Sequence, residues 1–343
     1  MEESFFLGAN SRGGFASLYR YFAAGPGDYL HVIKGGPGTG KSGFMRRIAK
    51  EAQARGMDVE TVLCSGDPDS LDGVYIPALR QGWVDGTAPH VLDPAHFGAD
   101  GDYVDLGRFC RLPLAGTDRE RIAALTGAYR EHYAAAYRWL AAAGALSDAA
   151  TAPELPKEAE EKLRRRIRTQ LRQNVPEAAE GRESRRFLSA ISCRGLLRLP
   201  LPEGYAQVCR IDSPRGLAPQ VLRLAAEEAA ARGLSRIICP SPLDPARAEA
   251  LLLPEAGIAL VSRYEGEGAR GLRPDALLPP EMPAARQARR RALRLRAAAV
   301  EAAVSELQRA KALHDALETV YRPYMDFEAL TAFAGETLAR IFQ

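Results

Sequence analysis

At 343 residues with 46% hydrophobic content, the chain is long enough to bury a substantial core and to form two domains of ordinary size, which excludes a disordered protein. A net charge of +3 is too small to argue for a nucleic-acid partner by itself. Five cysteines (Cys64, Cys110, Cys193, Cys209 and Cys239) are scattered and lack C-x-x-C spacing, which argues against a disulfide framework and a zinc site and fits a reducing cytoplasm. The segment Met1-Glu2-Glu3-Ser4 has no basic n-region, and no apolar run approaches membrane-spanning length without a charge, so a cytoplasmic protein with no membrane partner is expected.

In chain order, Phe5 to Asn10 begins as a short apolar strand, Ser11 to Gly14 reads as a polar turn, and Ala16 to Phe22 reads as a helix. A strand over Tyr29–Ile33, a helix from Lys41 to Arg55 stopped by Gly56, and a strand over Val59–Leu63 then form a βαβ unit. The loop joining the first strand to the helix is Gly35-Gly36-Pro37-Gly38-Thr39-Gly40-Lys41-Ser42, with the G-x-x-x-x-G-K-[ST] spacing of a phosphate-binding P-loop. Such a loop must turn its backbone N–H groups inward, and Gly35, Gly38 and Gly40 permit the backbone angles and close approach this requires. The helix continuing through Gly43 aims its free N–H groups at the same anion. Lys41 is expected to reach the β and γ phosphates, and the Ser42 hydroxyl to ligate Mg²⁺. Only six of the 46 basic residues are lysines, so a chance match to this pattern is rare.

Cys64 to Gly73 reads as a turn-rich acidic loop at the carboxyl end of the second strand, where open α/β sheets place their ligands. Within it Asp67, Asp69 and Asp72 offer a general base or extra metal ligands, Asp67 foremost, although aspartate with proline and glycine is also ordinary turn chemistry. A weaker third strand, Leu79 to Val84, ends in Asp85, the expected strand-end carboxylate that holds Mg²⁺ beside Ser42. Gly86 follows where hydrolytic ATPases usually carry glutamate, which favours phosphoryl transfer or slow hydrolysis. His90 is a possible γ-phosphate sensor or a structural histidine.

From Thr117 to Asp148 the pattern is helical and alanine-rich; a charged helix follows from Lys157 to Gln173, then a polar linker at Glu177 to Glu183. The chain after the linker repeats what came before. Phe187 to Ser192 echoes Phe6 to Ser11, Pro214 matches Pro37, Glu228 to Gly233 matches Glu51 to Gly56, Cys239 corresponds to Cys64, and Ala312 to Asp315 echoes Ala145 to Asp148. The expected layout is therefore a P-loop module over residues 1–115, a helical appendage and linker over 116–180, a degenerate P-loop-like module over 181–280 and a C-terminal helical appendage over 281–343. The fold class is α/β, a three-layer P-loop NTPase sheet in two tandem modules, each with a helical hairpin. In the second module Arg215-Gly216-Leu217-Ala218-Pro219 replaces the phosphate-binding residues, with no lysine and no hydroxyl for Mg²⁺. Arg215 is either a surface residue or an arginine finger reaching the first site.

Lys34 to Ser42, Cys64 to Gly73, and Val84 to His90 with Asp93-Pro94 together resemble a largely uncharacterised group of bacterial P-loop ATPases. The resemblance covers nearly the whole chain and implies two tandem P-loop halves with helical appendages, loosely similar to nucleotide kinases, with Asn10 and Arg12 near the nucleotide. The degraded second loop departs from that pattern. The expected function is Mg²⁺-dependent ATP binding with hydrolysis, or transfer of the γ-phosphoryl group to a small-molecule or protein acceptor. A nucleotide-gated binding protein is the alternative. A nucleic-acid-associated ATPase is a weaker one, since the arginines at 164–172 are interleaved with glutamates and neither they nor those at 286–296 have aromatic neighbours for base stacking.

Overall fold

The computed structural model describes residues 2–114, 116–150, 153–172, 181–263 and 269–343. Most of the expected linker at 177–183, and Gln173 at the end of the charged helix, lie outside the described residues. The first half contains β1 (Glu2–Phe5), β2 (Gly8–Ser11), β3 (Gly14–Ser17), β4 (Tyr29–Lys34), α1 (Lys41–Ala54), β5 (Val59–Leu63), β6 (Leu71–Ile76), β7 (Gln81–Asp85) and β8 (Gly101–Asp105), followed by α2 (Gly116–Ala149) and α3 (Lys157–Arg172). The second half contains β9 (Glu183–Arg185), β10 (Ser189–Ser192), β11 (Gly195–Arg198), β12 (Gln207–Ile211), α4 (Ala218–Ala230), β13 (Arg236–Pro240), β14 (Ala248–Leu253), β15 (Ile258–Val261) and β16 (Arg270–Leu272), followed by α5 (Pro283–Tyr321) and α6 (Phe327–Ile341).

Each half forms a six-stranded mixed sheet and a separate two-stranded hairpin. The first sheet runs β1-β5-β6-β7-β4-β8 and the second β9-β13-β14-β15-β12-β16, the same order element for element. In the first sheet β4 lies between β7 and β8 and is parallel to both, while β6 is antiparallel to β5 and β7. Val32, Ile33, Trp83 and Val84 are buried in these central strands. The face of α1 that carries Phe44, Met45, Ile48 and Ala52 recurs at helical spacing and covers the sheet.

Two local expectations are corrected. Leu71–Gly73 is not loop: the acidic loop ends at Ser70, and Leu71, Val74 and Ile76 are buried in a strand that returns antiparallel to β5. Residues 16–22 do not form a helix. Gly14, at φ +100, closes a hairpin turn that pairs Ala16 and Ser17 with Ala9 and Gly8, leaving only a single 3₁₀ turn over Tyr19–Tyr21.

The appendages are not hairpins on their own modules. The long helices α2 and α5 pair across the halves, burying Ala136 and Leu140 with Ala303 and Leu307. His132 and Tyr129 of α2 face Glu306 and His314 of α5, so the two run antiparallel. The shorter helices then cross over. Helix α3, from the first half, places Leu163, Ile167 and Leu171 in the second-half core with Val221 and Leu222 of α4. Helix α6, from the second half, places Leu330 and Ala334 in the first-half core with Phe44 and Ile48. Arg164 and Arg168 fasten α3 to the buried Glu228 of α4 at 3.1 and 2.7 Å. The Arg168 hydrogen bond, followed by that from Arg164, holds this carboxyl below its ordinary range. These arginines of the first basic cluster clamp two helices together and do not form an open basic face.

No helix among the described residues is long and apolar enough to cross a membrane. Because Leu163 is fully buried in the opposite half, Leu163→Ala is expected to cost about 2–5 kcal/mol of stability and to raise amide exchange in α4. Denaturant unfolding with hydrogen-exchange mass spectrometry reads both effects; unchanged protection of α4 would rule out the crossed docking.

Candidate functional site

The glycine loop, Lys41, Ser42 and Asp85 lie at the carboxyl ends of β4 and β7. Residues 35–40 connect β4 to α1, with Gly38 at φ +70 and Gly40, at φ +85, immediately before the helix. These angles suit glycine and cost any other residue strain. A Cβ on Gly35 would meet the Thr39 hydroxyl at 2.5 Å. That hydroxyl donates to the Gly36 carbonyl at 2.8 Å and staples the loop. Pro37 is half-buried within the loop, and Gly43 is exposed on the first turn of α1.

Lys41 folds back over this loop. Its Nζ donates to the carbonyls of Gly35 and Gly36 at 2.9 and 3.0 Å and lies 3.6 Å from Asp85 Oδ2, with both side chains largely buried. The pairing of β4 with β7 in register Ile33 to Asp85 creates this proximity, which no sequence spacing encodes. Asp85 is fixed from its other oxygen, Oδ1, which accepts from the Thr87 amide and hydroxyl at 2.9 and 2.6 Å. Ser42 Oγ accepts the Leu71 amide at 2.9 Å, linking the helix to the start of β6. Gly86 also has a steric explanation. A Cβ there would fall 2.2 Å from Val32 Cγ1 and 3.3 Å from the Leu92 carbonyl, so a glutamate does not fit behind Asp85 in this arrangement.

The acidic loop divides by burial. Asp67 is partly exposed; it accepts from the Ser70 hydroxyl at 3.1 Å and meets Lys311 Nζ at 3.4 Å. Asp69 is exposed and paired with Arg194. Asp72 is buried, accepting from the Tyr19 hydroxyl at 2.9 Å and lying 3.3 Å from His90 Nε2. Burial pushes the Asp72 carboxyl up, and the neighbouring His90 pulls the other way. Burial likewise holds the Cys64 thiol and the Tyr19 hydroxyl well above their ordinary ranges, so both stay protonated near neutrality. His90 is a core histidine against Phe15 and Tyr19, with ring centroids 5.1 and 4.8 Å away.

Sequence reasoning missed the second half's contribution. Lys311 and Arg194, from α5 and the tip of the β10–β11 hairpin, bring the cations that neutralise Asp67 and Asp69. Burial works against the charge on Lys311, yet Asp315 and Asp67 hold its pKa above the ordinary lysine range. The end of α5 also covers the loop: a Cβ on Gly38 would touch the Glu318 backbone at 3.2 Å, one on Gly36 would meet the Tyr321 ring at 3.8 Å, and one on Gly40 would meet Leu330 of α6 at 2.9 Å. The scarcity of lysine was the available signal, since Lys34, Lys41 and Lys311 all serve this region. Lys34 donates to the Gly86 and Leu92 carbonyls at 3.0 and 3.2 Å.

Asn10, Arg12 and Arg215 are engaged elsewhere. Asn10 is buried and donates to the Ile191 carbonyl at 2.9 Å while accepting from the Tyr137 hydroxyl at 3.1 Å. Arg12 is held bidentate by Asp148 at 2.9 and 2.6 Å. Arg215 donates to the Pro279 carbonyl at 2.8 Å within its own half, beside a cleft of about 360 Å³ that it lines with Asp275, Glu281, Arg286 and Arg289. Glu281 pairs with Arg289 at 2.9 Å, but the arginines lining the cleft, Arg215, Arg286, Arg289 and Arg290, outnumber its carboxylates, Asp275 and Glu281, and leave it net positive.

No family model, curated protein or solved structure matches the chain. The site therefore rests on its own geometry. Gly38→Ala is expected to lower stability by about 1–2 kcal/mol from the left-handed backbone angle alone and to loosen the end of α5 over the loop. Thermal unfolding and amide exchange across residues 311–321 check this, and unchanged exchange there would refute the covering contact.

Proposed function

We propose that the chain is a Mg²⁺-dependent ATP-binding protein of the P-loop type, acting in the cytoplasm, that hydrolyses ATP or passes its γ-phosphoryl group to an acceptor. The observation that carries the reading is the convergence of left-handed glycines, Lys41, Ser42 and Asp85 at the ends of two adjacent parallel strands. The glycines leave the loop free of side chains where a polyphosphate must approach, and the start of α1 supplies unpaired amides and the positive end of the helix dipole. Lys41 would exchange its carbonyl partners for phosphate oxygens. A hydroxyl and a carboxylate are the oxygen donors a hard cation takes, so Ser42 and Asp85 would hold Mg²⁺, which supplies charge neutralisation at the phosphates.

The general-base role falls to Asp67. It is partly exposed and not confined to the core as Asp72 is, and it pairs with Lys311 of the helix whose end covers the glycine loop. The resemblance to tandem P-loop ATPases accords with the repeated topology, and the second half, with Ala218 and Pro219 at the positions matching Lys41 and Ser42, serves as a structural or regulatory partner. A second reading, a nucleotide-gated binding protein, is favoured by the contact of Glu318, Tyr321 and Leu330 with the glycine loop, because nucleotide in the loop would then bear directly on the docking of α5 and α6.

Titration calorimetry with Mg²⁺-ATP should give one nucleotide per chain, and Lys41→Ala should weaken it about tenfold or more, roughly 1.4 kcal/mol. A stoichiometry of two, or wild-type affinity in the variant, would show that the loop is not the site. Asp85→Asn should spare binding while lowering Mg²⁺-dependent turnover on the order of a hundredfold. Steady-state turnover with a panel of nucleoside acceptors measures this; if Asp85→Asn is active and Asp67→Asn is dead, the metal carboxylate is misassigned.

A further inference from the structure

We propose that Cys64, Asp72 and His90 form a binding site for a divalent transition metal of the zinc class, separate from the Mg²⁺ ligands Ser42 and Asp85. The three residues come from different segments: Cys64 follows β5, Asp72 is the second residue of β6, and His90 closes the turn after β7 through its amide bond to the Thr87 carbonyl at 2.8 Å. One ligating atom from each lies within 4.8 Å of the others. Donors around a tetrahedral zinc ion stand about 3.3–3.8 Å apart, so closing the set asks for side-chain shifts of about 1 Å. The Asp72 carboxylate already stands 3.3 Å from His90 Nε2, the ring nitrogen that would ligate the ion.

A second observation points the same way. His90 is only 8% exposed, and its Nδ1 is the one buried side-chain nitrogen or oxygen without a hydrogen-bond partner among the described residues. Buried polar atoms are almost always satisfied. No partner at Nδ1 fixes the tautomer in this pocket of Phe15 and Tyr19, so a neutral imidazole can keep its proton there and turn the Nε2 lone pair to a cation shared with Asp72 and Cys64. The Tyr19 hydroxyl, donating to Asp72 at 2.9 Å, orients the carboxylate as outer partners of metal ligands do. Cys64 is half-buried, and with three protein ligands the fourth position of a tetrahedral ion would fall to water.

Thiolate and imidazole select zinc-class ions over Mg²⁺, which prefers oxygen alone. The bound ion would displace the thiol proton to solvent and leave a Cys64 thiolate, a neutral imidazole and a carboxylate as ligands. It would tie together the three segments behind the nucleotide residues, since Leu71 holds Ser42 and Thr87 holds Asp85.

The test is a titration of the purified, chelator-treated full chain with Co²⁺ in excess Mg²⁺ and without nucleotide, so its outcome is independent of ATP binding. One equivalent per chain is expected, with a thiolate-to-cobalt charge-transfer band and tetrahedral visible bands. The charge-transfer band should vanish in Cys64→Ser and persist in Cys193→Ser, a partly exposed cysteine outside the cluster. His90→Gln and Asp72→Asn should weaken binding by about tenfold or more. Absence of the band in the wild-type chain, or its survival in Cys64→Ser, overturns the proposal. Should Cys64→Ser fail to fold, X-ray absorption on the zinc-loaded wild-type chain decides: one sulfur with nitrogen and oxygen donors supports the site, and a shell without sulfur removes it.

Discussion

The structure depends on one buried contact between its two halves. Phe6 and Phe187, both fully buried, exchange backbone hydrogen bonds of 2.9 and 2.8 Å where the repeats meet. Two apolar side chains and two satisfied peptide groups at one point fix the relation of the halves, because slipping this pair would bury unpaired amides and carbonyls. Other contacts follow the same approximate two-fold relation. The hairpin tip of each half reaches the loop of the other, with the Arg12 amide donating to the Leu243 carbonyl at 2.9 Å and the Cys193 amide to the Gly66 carbonyl at 3.3 Å. From this arrangement comes the pairing of α2 with α5, and from that pairing the crossing of α3 and α6.

That crossing changes what a degenerate repeat does. The second half carries Ala218 and Pro219 at the positions matching Lys41 and Ser42, yet it supplies the helix that lies over the first half's glycine loop and the cations that meet Asp67 and Asp69. Its loop chemistry can be absent because its contribution is made through α5, α6 and Arg194. The approximate symmetry of the fold and the asymmetry of the chemistry are thus compatible. A helix that touches left-handed glycines through its backbone is sensitive to small movements of that loop, since packed interfaces rearrange between discrete arrangements and do not deform continuously.

The acidic loop and the strands around it show how burial sorts residues of one type. Asp67, Asp69 and Asp72 lie within six positions, but only Asp72 enters a strand and the core, where it joins Tyr19, His90 and Cys64. The other two remain partly or fully solvated and meet cations from the second half. The cysteines lack C-x-x-C spacing, and sequence spacing registers only local pairs; Cys64, Asp72 and His90 come from separate segments of the chain and are brought together by the pairing of β5, β6 and β7.

The sequence by itself determined the glycine loop, the helix that follows it, the strand-end aspartate and the tandem repeat. Each is a local matter: glycine spacing dictates permitted backbone angles, helical periodicity dictates a buried face, and repeated order dictates repeated elements. Residues 71–76 were less legible because Asp72 and Gly73 interrupt an apolar pattern that the core nevertheless buries. Tertiary structure alone decided that Lys41 and Asp85 meet, that Lys311 reaches Asp67, and which sheet receives α3 and which α6. The apolar stripes of α3 and α6 do not by themselves specify a sheet, and the Phe6–Phe187 contact and the α2–α5 pairing, which act between residues far apart in the chain, assign each to the opposite half.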